Sequence, residues 1–410
     1  MSKTFQFGNG EWAIGKETVL AYNDENNNFK PLPFTFDRGS IATVVNKDGL
    51  IETVGIDEPR IDYTDSSNGV ALLEPARTND IERSEEFDNT YWTKYDTSVT
   101  ANQETSPNGS VTADKIIEDT GASTHIVGRA FGFTSGTTYS VSVFAKHNGR
   151  NLQVSAGNTS TWAGSVKFDL ENGVVLSEAN GTGKIENFGN GWFRCIVTGT
   201  AGATASTNIN FGLLDNQTTS YTGDGTSGVY LFGAMRETGS YATSYIPTSG
   251  QSGGVTRSAE TCSQTPPSGI IGQTEGVLYF ESKINAQGTY TGITLSDGTT
   301  NNEIIIRFTS TDRIEYYLRS GGTQPIAEGT TLFDTDEYVK VAFAYKSGDS
   351  AVYINGTQVT TSTTTTMPVS LTKIKMSRGN NTGVFSGKVK DLKVYNTRLS
   401  NSELETLTTL

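Results

Sequence analysis

Two stretches run the same turn into tryptophan, "FGNGEW" at 7–12 and "FGNGW" at 188–192. An exposed indole beside a polar turn is what a sugar-stacking platform requires, because an aromatic face packs on the apolar face of a pyranose. A buried indole at the same place plugs a core, and tryptophan is highly buried on average. In the second stretch, strand alternation sets Phe193, Cys195 and Val197 on one face, with Trp192, Arg194 and Ile196 on the other. The first face is the better core candidate.

Other residues of chemical type are sparse. His125 and His147 are the only histidines, neither at a metal-ligand spacing nor beside a nucleophile elbow. "GDGTSG" (223–228) fits G-x-G-x-x-G, but a strand-like run follows it where a dinucleotide site needs a helix. "NGTGK" (180–184) has Glu178 where a phosphate loop needs its first glycine. The loops 222–228 and 296–303 offer hard oxygen ligands, so a calcium ion with Asp224 as a ligand is a minor alternative to plain Asp-Gly turns. No other cofactor is expected. Paired carboxylates for glycoside cleavage are a spatial arrangement, and no glycosidase-like signature accompanies the dispersed acidic residues. The chain reads as a non-enzyme.

Charge and composition narrow the partners. Lys+Arg 31 against Asp+Glu 44 leaves −13, and no basic run interrupts the acidity. Nucleic acid and anionic membrane surfaces are therefore disfavoured. No apolar stretch approaches the ~18 residues of a spanning helix, and the amino terminus has no signal-peptide core. Cys195 and Cys262 make neither a disulfide framework nor a CxxC pattern, which fits assembly in a reducing compartment.

The elements that must position these residues are strands. There are 45 glycines, charged residues make up only 18%, and apolar residues alternate in short runs such as "TTYSVSVFAK" (137–146) and "KVAFAYK" (340–346). Asn172-Gly173 and Asn355-Gly356 sit between such runs and predict two-residue type I′ hairpins. Ser400 with Glu403 forms a capping box that starts a short terminal helix. The fold class is all-β, with tandem β-sandwiches (jelly rolls). Connectors at 64–69 and 247–272 divide the chain into a segment 1–75, a first β domain 76–250, a linker 251–274 and a second β domain 275–410.

"LPFTFDRGSIATVVNKDGLIETVGIDEPRIDY" with "ALLEPARTN" resembles the amino-terminal segment of phage virion proteins. "IERSEEFDNTYWTK", "GNGWFRCIVTGTA", "GVYLFGAMRETGSYATSYIPTSG" and "VTRSAE" continue the pattern of carbohydrate-binding-module-like jelly rolls in head-spike, head-fibre and tail-fibre proteins. Residues 275–410, through "EYVKVAFAYKSGDSAVYINGTQV" and "GKVKDLKVYNTRLSNSELETL", are similar to laminin-G/concanavalin-A-like sandwiches.

The resemblance implies a structural subunit of a virion fibre or spike, assembled in the bacterial host cytoplasm. It implies a homo-oligomer, dimer or trimer, that contacts capsid or tail proteins and presents modules to host surface glycans. Residues 1–75 become the attachment or oligomerisation segment, with Trp12 buried at an interface. Tyr91, Trp92 and Trp162, in loop-like stretches, become the glycan-contact candidates of the first module. "TYTG" (289–292) with Arg319 and Asn380 is the weaker set in the second. The alternatives are a small polysaccharide depolymerase and a spacer without ligand.

Overall fold

A computed structural model of the chain describes residues 4–8, 13–15, 18–25, 28–157, 164–284, 290–309, 313–332 and 337–410. Strands make up nearly all the regular structure, and one short helix, Asn401–Thr408, closes the chain. The all-β expectation holds. Two compact units emerge, one of residues 1–41, 54–76 and 258–410 and the other of residues 42–53 and 77–257.

These units are drawn differently from the divisions suggested by composition, because the amino-terminal strands belong to the last sandwich. Thr4–Gly8 pairs with Gly387–Tyr395 in register Phe5↔Val394. Asn28–Asp37 pairs with Thr261–Gln264, which lies inside the expected linker. Phe7, Phe34 and Phe36 enter the same core as Leu278, Phe280 and Leu392.

In the first-named unit the antiparallel ladder runs from Thr357–Ser362 through Ser350–Ile354, Val339–Lys346 and Glu275–Ile284 to Gly387–Tyr395. The amino-terminal strands carry it on to Lys373–Lys375, Thr291–Ser296, Glu303–Phe308 and Arg313–Ser320. The two ends of this ladder share one core, in which Val341 and Phe343 lie with Ile293, Leu295, Ile304 and Ile306. That makes a β-sandwich. The helix covers the outer face, where Leu404 packs with Val277, Tyr279 and Tyr353. Its capping box is formed, with Ser400 N donating to Glu403 Oε2 at 2.7 Å.

The second-named unit has two six-stranded antiparallel sheets. Val141, Val143 and Cys195 of one meet Leu152, Phe168 and Phe211 of the other. Cys195 and Cys262 are both buried free thiols.

The turns follow local chemistry, with one difference. Asn355 and Gly356 both have positive φ (47° and 79°) between Ile354 and Thr357, as a type I′ turn requires. At the other site only Gly173 turns positive. The loop spans four residues from Asp169 to Val174, because Asp169 Oδ1 accepts from both Glu171 N and Asn172 N and holds a longer turn. "GNG" is explained at 189–191, where three successive residues adopt φ of 76°, 51° and 78°.

The segment 64–69 is the turn of a pair, Ile61–Asp62 with Val70–Leu73. It is pinned by Asp65, which Lys283 Nζ approaches at 2.7 Å, Lys388 Nζ at 3.2 Å and Tyr338 OH at 3.2 Å. Burial alone raises the Asp65 carboxyl, but Lys388 and Lys283 outweigh it and hold it below the usual range. A folded value below the unfolded one adds stability above the ordinary carboxylate pKa of about 3.9 and loses it as pH falls. Asp65→Asn is therefore expected to cost about 1–2 kcal/mol near neutral pH and to flatten the acid limb of a stability–pH curve below about pH 4. Urea melts from pH 3 to pH 7 read this. Parallel acid limbs for the two proteins contradict it.

Candidate functional site

Neither of the described tryptophans, Trp92 and Trp192, forms a platform. Trp92 is 1% exposed, stacks on Phe87 at 5.2 Å, and donates from Nε1 to Arg83 O at 3.0 Å. Its ring is closed in on the Phe211 side as well, so it is a core residue and not a glycan contact. Tyr91 is half-buried, accepts from Glu82 N through its hydroxyl, and carries the Arg129 guanidinium 3.7 Å above its ring. That face is already taken. Trp12 and Trp162 lie outside the described residues. Trp192 is 2% exposed and donates to Thr105 O, filling a second core with Phe144 and Phe232. Both faces of its strand are thus buried, and Arg194 survives there by donating to Ser142 Oγ.

Asp224 spends its carboxylate on its own turn. It accepts from Thr226 N, Thr226 Oγ1, Ser227 N and Ser227 Oγ, bonds that hold it well below the usual range. Arg150 Nη2 lies 3.6 Å from its Oδ2, and this exposed carboxylate organises its own turn. Asp297 does the same for Thr299 and Asn302. Among the described residues no group of three or more His, Cys, Asp or Glu could hold a metal ion. His125 is fully buried, Nδ1 lying 2.7 Å from Asp96 O and Nε2 3.4 Å from Tyr221 O, which ties it into backbone rather than chemistry.

A more pointed constellation lies on the sandwich of residues 258–410. Ile293, Leu295, Ile304, Ile306, Tyr316, Leu318 and Ile374 face the core, so alternation turns their neighbours to the opposite face. Register aligns them in three cross-strand rows: Lys373–Ser296–Glu303–Arg319, then Lys375–Thr294–Ile305–Tyr317, then Gly292–Arg307–Glu315. Two features stand out on this face.

The first is a stack. The Arg307 guanidinium lies 4.5 Å from the Tyr290 ring and 4.6 Å from the Tyr317 ring. Arg307 Nε donates to Glu315 Oε2 at 2.7 Å, and Tyr317 OH donates to the same oxygen at 2.6 Å. Burial and Glu315 raise the Tyr317 phenol above its usual range, so it stays a neutral donor. Tyr290 remains 51% exposed. A half-exposed ring fixed by a cation offers an apolar face for a sugar ring.

The second is a pair of arginines on one buried carboxylate. Glu303 is completely buried, and its Oε1 meets Arg378 Nη2 at 3.0 Å and Arg319 Nη1 at 3.4 Å. The two arginine side chains are each about a fifth exposed, at 23% for Arg319 and 21% for Arg378. Arg378 comes from a loop that folds back through Lys375, whose Nζ donates to Gly379 O and Asn381 Oδ1. Burial and the neighbouring Lys373 push Lys375 below the usual lysine range.

Of the weaker sequence set, Tyr290 and Arg319 are brought to this face, while Asn380 caps its own turn through Thr382. Sequence reading missed Glu303, Arg307, Tyr317 and Arg378. The alternation in "EIIIRF" and "RIEYYLRS" held a signal for the strand residues, and nothing local marked Arg378.

Residues 278–405 match the family model described as the concanavalin A-like lectin/glucanases superfamily, Laminin_G_3. A search of curated proteins finds no match. Similar solved structures include the CBM40 of a Ruminococcus gnavus IT-sialidase bound to alpha2,3 sialyllactose, at 15% identity, covering 33% of this chain and 84% of that one with TM-score 0.30. Domain 4 of AbnA, a GH43 extracellular arabinanase from Geobacillus stearothermophilus in complex with arabinotriose, is 15% identical over 37% of this chain and 73% of that one, with TM-score 0.29. The NanB sialidase from Streptococcus pneumoniae is 16% identical over 34% of this chain and 24% of that one, with TM-score 0.30. Scores at this level carry no inference about ligand or activity. Over the matched residues this chain has a lectin-like β-sandwich.

Proposed function

We propose that this chain is a non-catalytic glycan-binding protein and a subunit of a phage virion fibre or spike. The observation that carries the first part is the Tyr290–Arg307–Tyr317 stack on a sandwich of the lectin superfamily. The second part rests on the resemblance of the segments around "DRGSIAT", "EPRIDY" and "LLEPAR" to virion proteins. In this reading the chain assembles as a homo-oligomer, dimer or trimer, contacts capsid or tail proteins, and gains avidity from several weak sites. Attachment through residues 1–75 needs a test other than deletion, because those strands complete the lectin-like sheet.

The full chain on a glycan array is expected to bind a subset of saccharides without releasing reducing ends. Release of reducing ends makes it a depolymerase, and a flat array with folded oligomer makes it a spacer. Immunogold labelling of virions with an antibody to residues 275–410 is expected to mark particles, and unlabelled intact particles overturn the virion assignment.

A further inference from the structure

The charge on the lectin-like face runs against the charge of the chain. The three rows and the adjoining loop bring Lys373, Lys375, Arg307, Arg319 and Arg378 together with only Glu303 and Glu315. Three positive charges are left over, on a protein whose formal net charge is −13. Glu315 is consumed by Arg307, and Glu303 serves two guanidinia through a single oxygen. One buried carboxylate therefore holds two arginines side by side with one cationic charge uncompensated.

Each arginine keeps a terminal nitrogen unspent, while Arg378 Nε is buried without a partner among the described residues. Among the described residues Arg319 gives Nε to Gln324 Oε1 at 3.2 Å and Nη1 to Glu303, and Nη2 has no protein partner. Arg378 gives only Nη2 to Glu303. A structural ion pair closes on itself, whereas this one leaves a fork of N–H donors, a terminal nitrogen from each arginine, beside Tyr317, whose ring lies 5.7 Å from the Arg319 guanidinium. Two oxygens of a planar carboxylate or of a tetrahedral oxyanion match such a fork bidentately.

We infer that this face selects anionic saccharides, with Arg319 and Arg378 clamping a carboxylate or sulfate of a sugar whose ring lies toward Tyr290 and Tyr317. The inference rests on the glycan-binding reading and names its ligand class. Anions are drawn to the face through its local positive field despite the overall acidity. Binding then weakens as salt screens the contact.

The test uses the full chain and four immobilised polymers: polygalacturonate, the same polymer with its carboxyls reduced to alcohols, dextran sulfate and dextran. Wild type is expected to bind polygalacturonate or dextran sulfate at least tenfold tighter than the uncharged counterpart, with affinity falling as salt rises. The preferred polymer identifies carboxylate or sulfate as the anion. Arg319→Gln is expected to lose at least tenfold on the anionic polymer, and Arg319→Lys, which keeps the charge without the fork, to recover part of it. A matched thermal midpoint shows that the loss is not unfolding, since Glu303 keeps Arg378. If Arg319→Gln lowers the midpoint, the Arg319→Lys ratio decides, because it retains the ion pair. Equal binding to charged and uncharged polymers overturns the anionic selection and leaves glycan binding intact. Wild-type binding to none of the four, alongside a positive array, also overturns it, and a flat array removes the glycan reading itself.

Discussion

Glu260→Gln is expected to lower the thermal midpoint of the unit formed by residues 1–41, 54–76 and 258–410 by roughly 10 °C. Glu260 and the two arginines it binds, Arg38 and Arg60, are completely buried. Its Oε1 accepts from Arg38 Nη1 at 2.9 Å and from Arg60 Nε at 2.7 Å, while Oε2 accepts from Glu74 N at 2.8 Å and from Arg60 Nη2. Arg60 Nη1 meets Glu74 Oε2 at 2.9 Å, so two cations and two anions balance. Burial opposes the Arg60 charge, but Glu260 and Glu74 outweigh it and raise its pKa, so Arg60 stays a cation. Glutamine removes one anion and points an amide donor at guanidinium donors. Breaking a buried pair this way costs about 3–5 kcal/mol, and each kcal/mol moves a domain of 150–250 residues by about 2–4 °C. Calorimetry that resolves the two units reads the effect, and the transition of the unit 42–53 with 77–257 is expected to stay in place. A shift below about 2 °C shows that the network contributes little net stability.

That network also shows where sequence reading stopped. Arg38 lies in "DRGS", Arg60 in "EPRIDY", Glu74 in "LLEPAR" and Glu260 in "TRSAE", all stretches that carry the resemblance to virion proteins. Nothing local says that Arg38 reaches the buried carboxylate of Glu260, 222 positions away. The same gap explains the divisions. Composition marks 64–69 and 247–272 as connectors because Gly, Ser and Pro dominate there, yet Asp65 is clamped by two lysines and Thr261–Gln264 is a strand in the ladder. Polar composition reports turn propensity and not the absence of tertiary partners.

Local rules fared better where the physics is local. The capping box, the Asn355-Gly356 turn and the all-β class depend on residues within a few positions of each other, and all three are present. The candidate face depends on register between strands, so only fragments of it showed in the sequence. Tyr290 and Arg319 drew attention by type, but the carboxylate joining Arg319 to Arg378 lies across two other turns of chain. The aromatic signal misled for a physical reason. A tryptophan near a turn serves a sugar only if its face is open, and burial of a face is decided by the partner sheet.

Trp92→Ala separates those two roles most sharply. The indole fills the core between Phe87 and Phe211, with centroids at 5.2 and 5.7 Å, and its Nε1 satisfies the Arg83 carbonyl. Alanine leaves a cavity and orphans that carbonyl, a combination costing about 3–5 kcal/mol. The midpoint of the unit containing residues 77–257 is expected to fall by roughly 10 °C while the other unit melts as before. Glycan affinity measured well below the transition is expected to remain within about twofold of wild type, because the ring contributes no exposed face. Trp92→Phe keeps the ring stacking and loses the donor, so it is expected to fall between the two. If instead Trp92→Ala melts like wild type and loses glycan affinity, the indole is a surface platform and its place in the core is wrong.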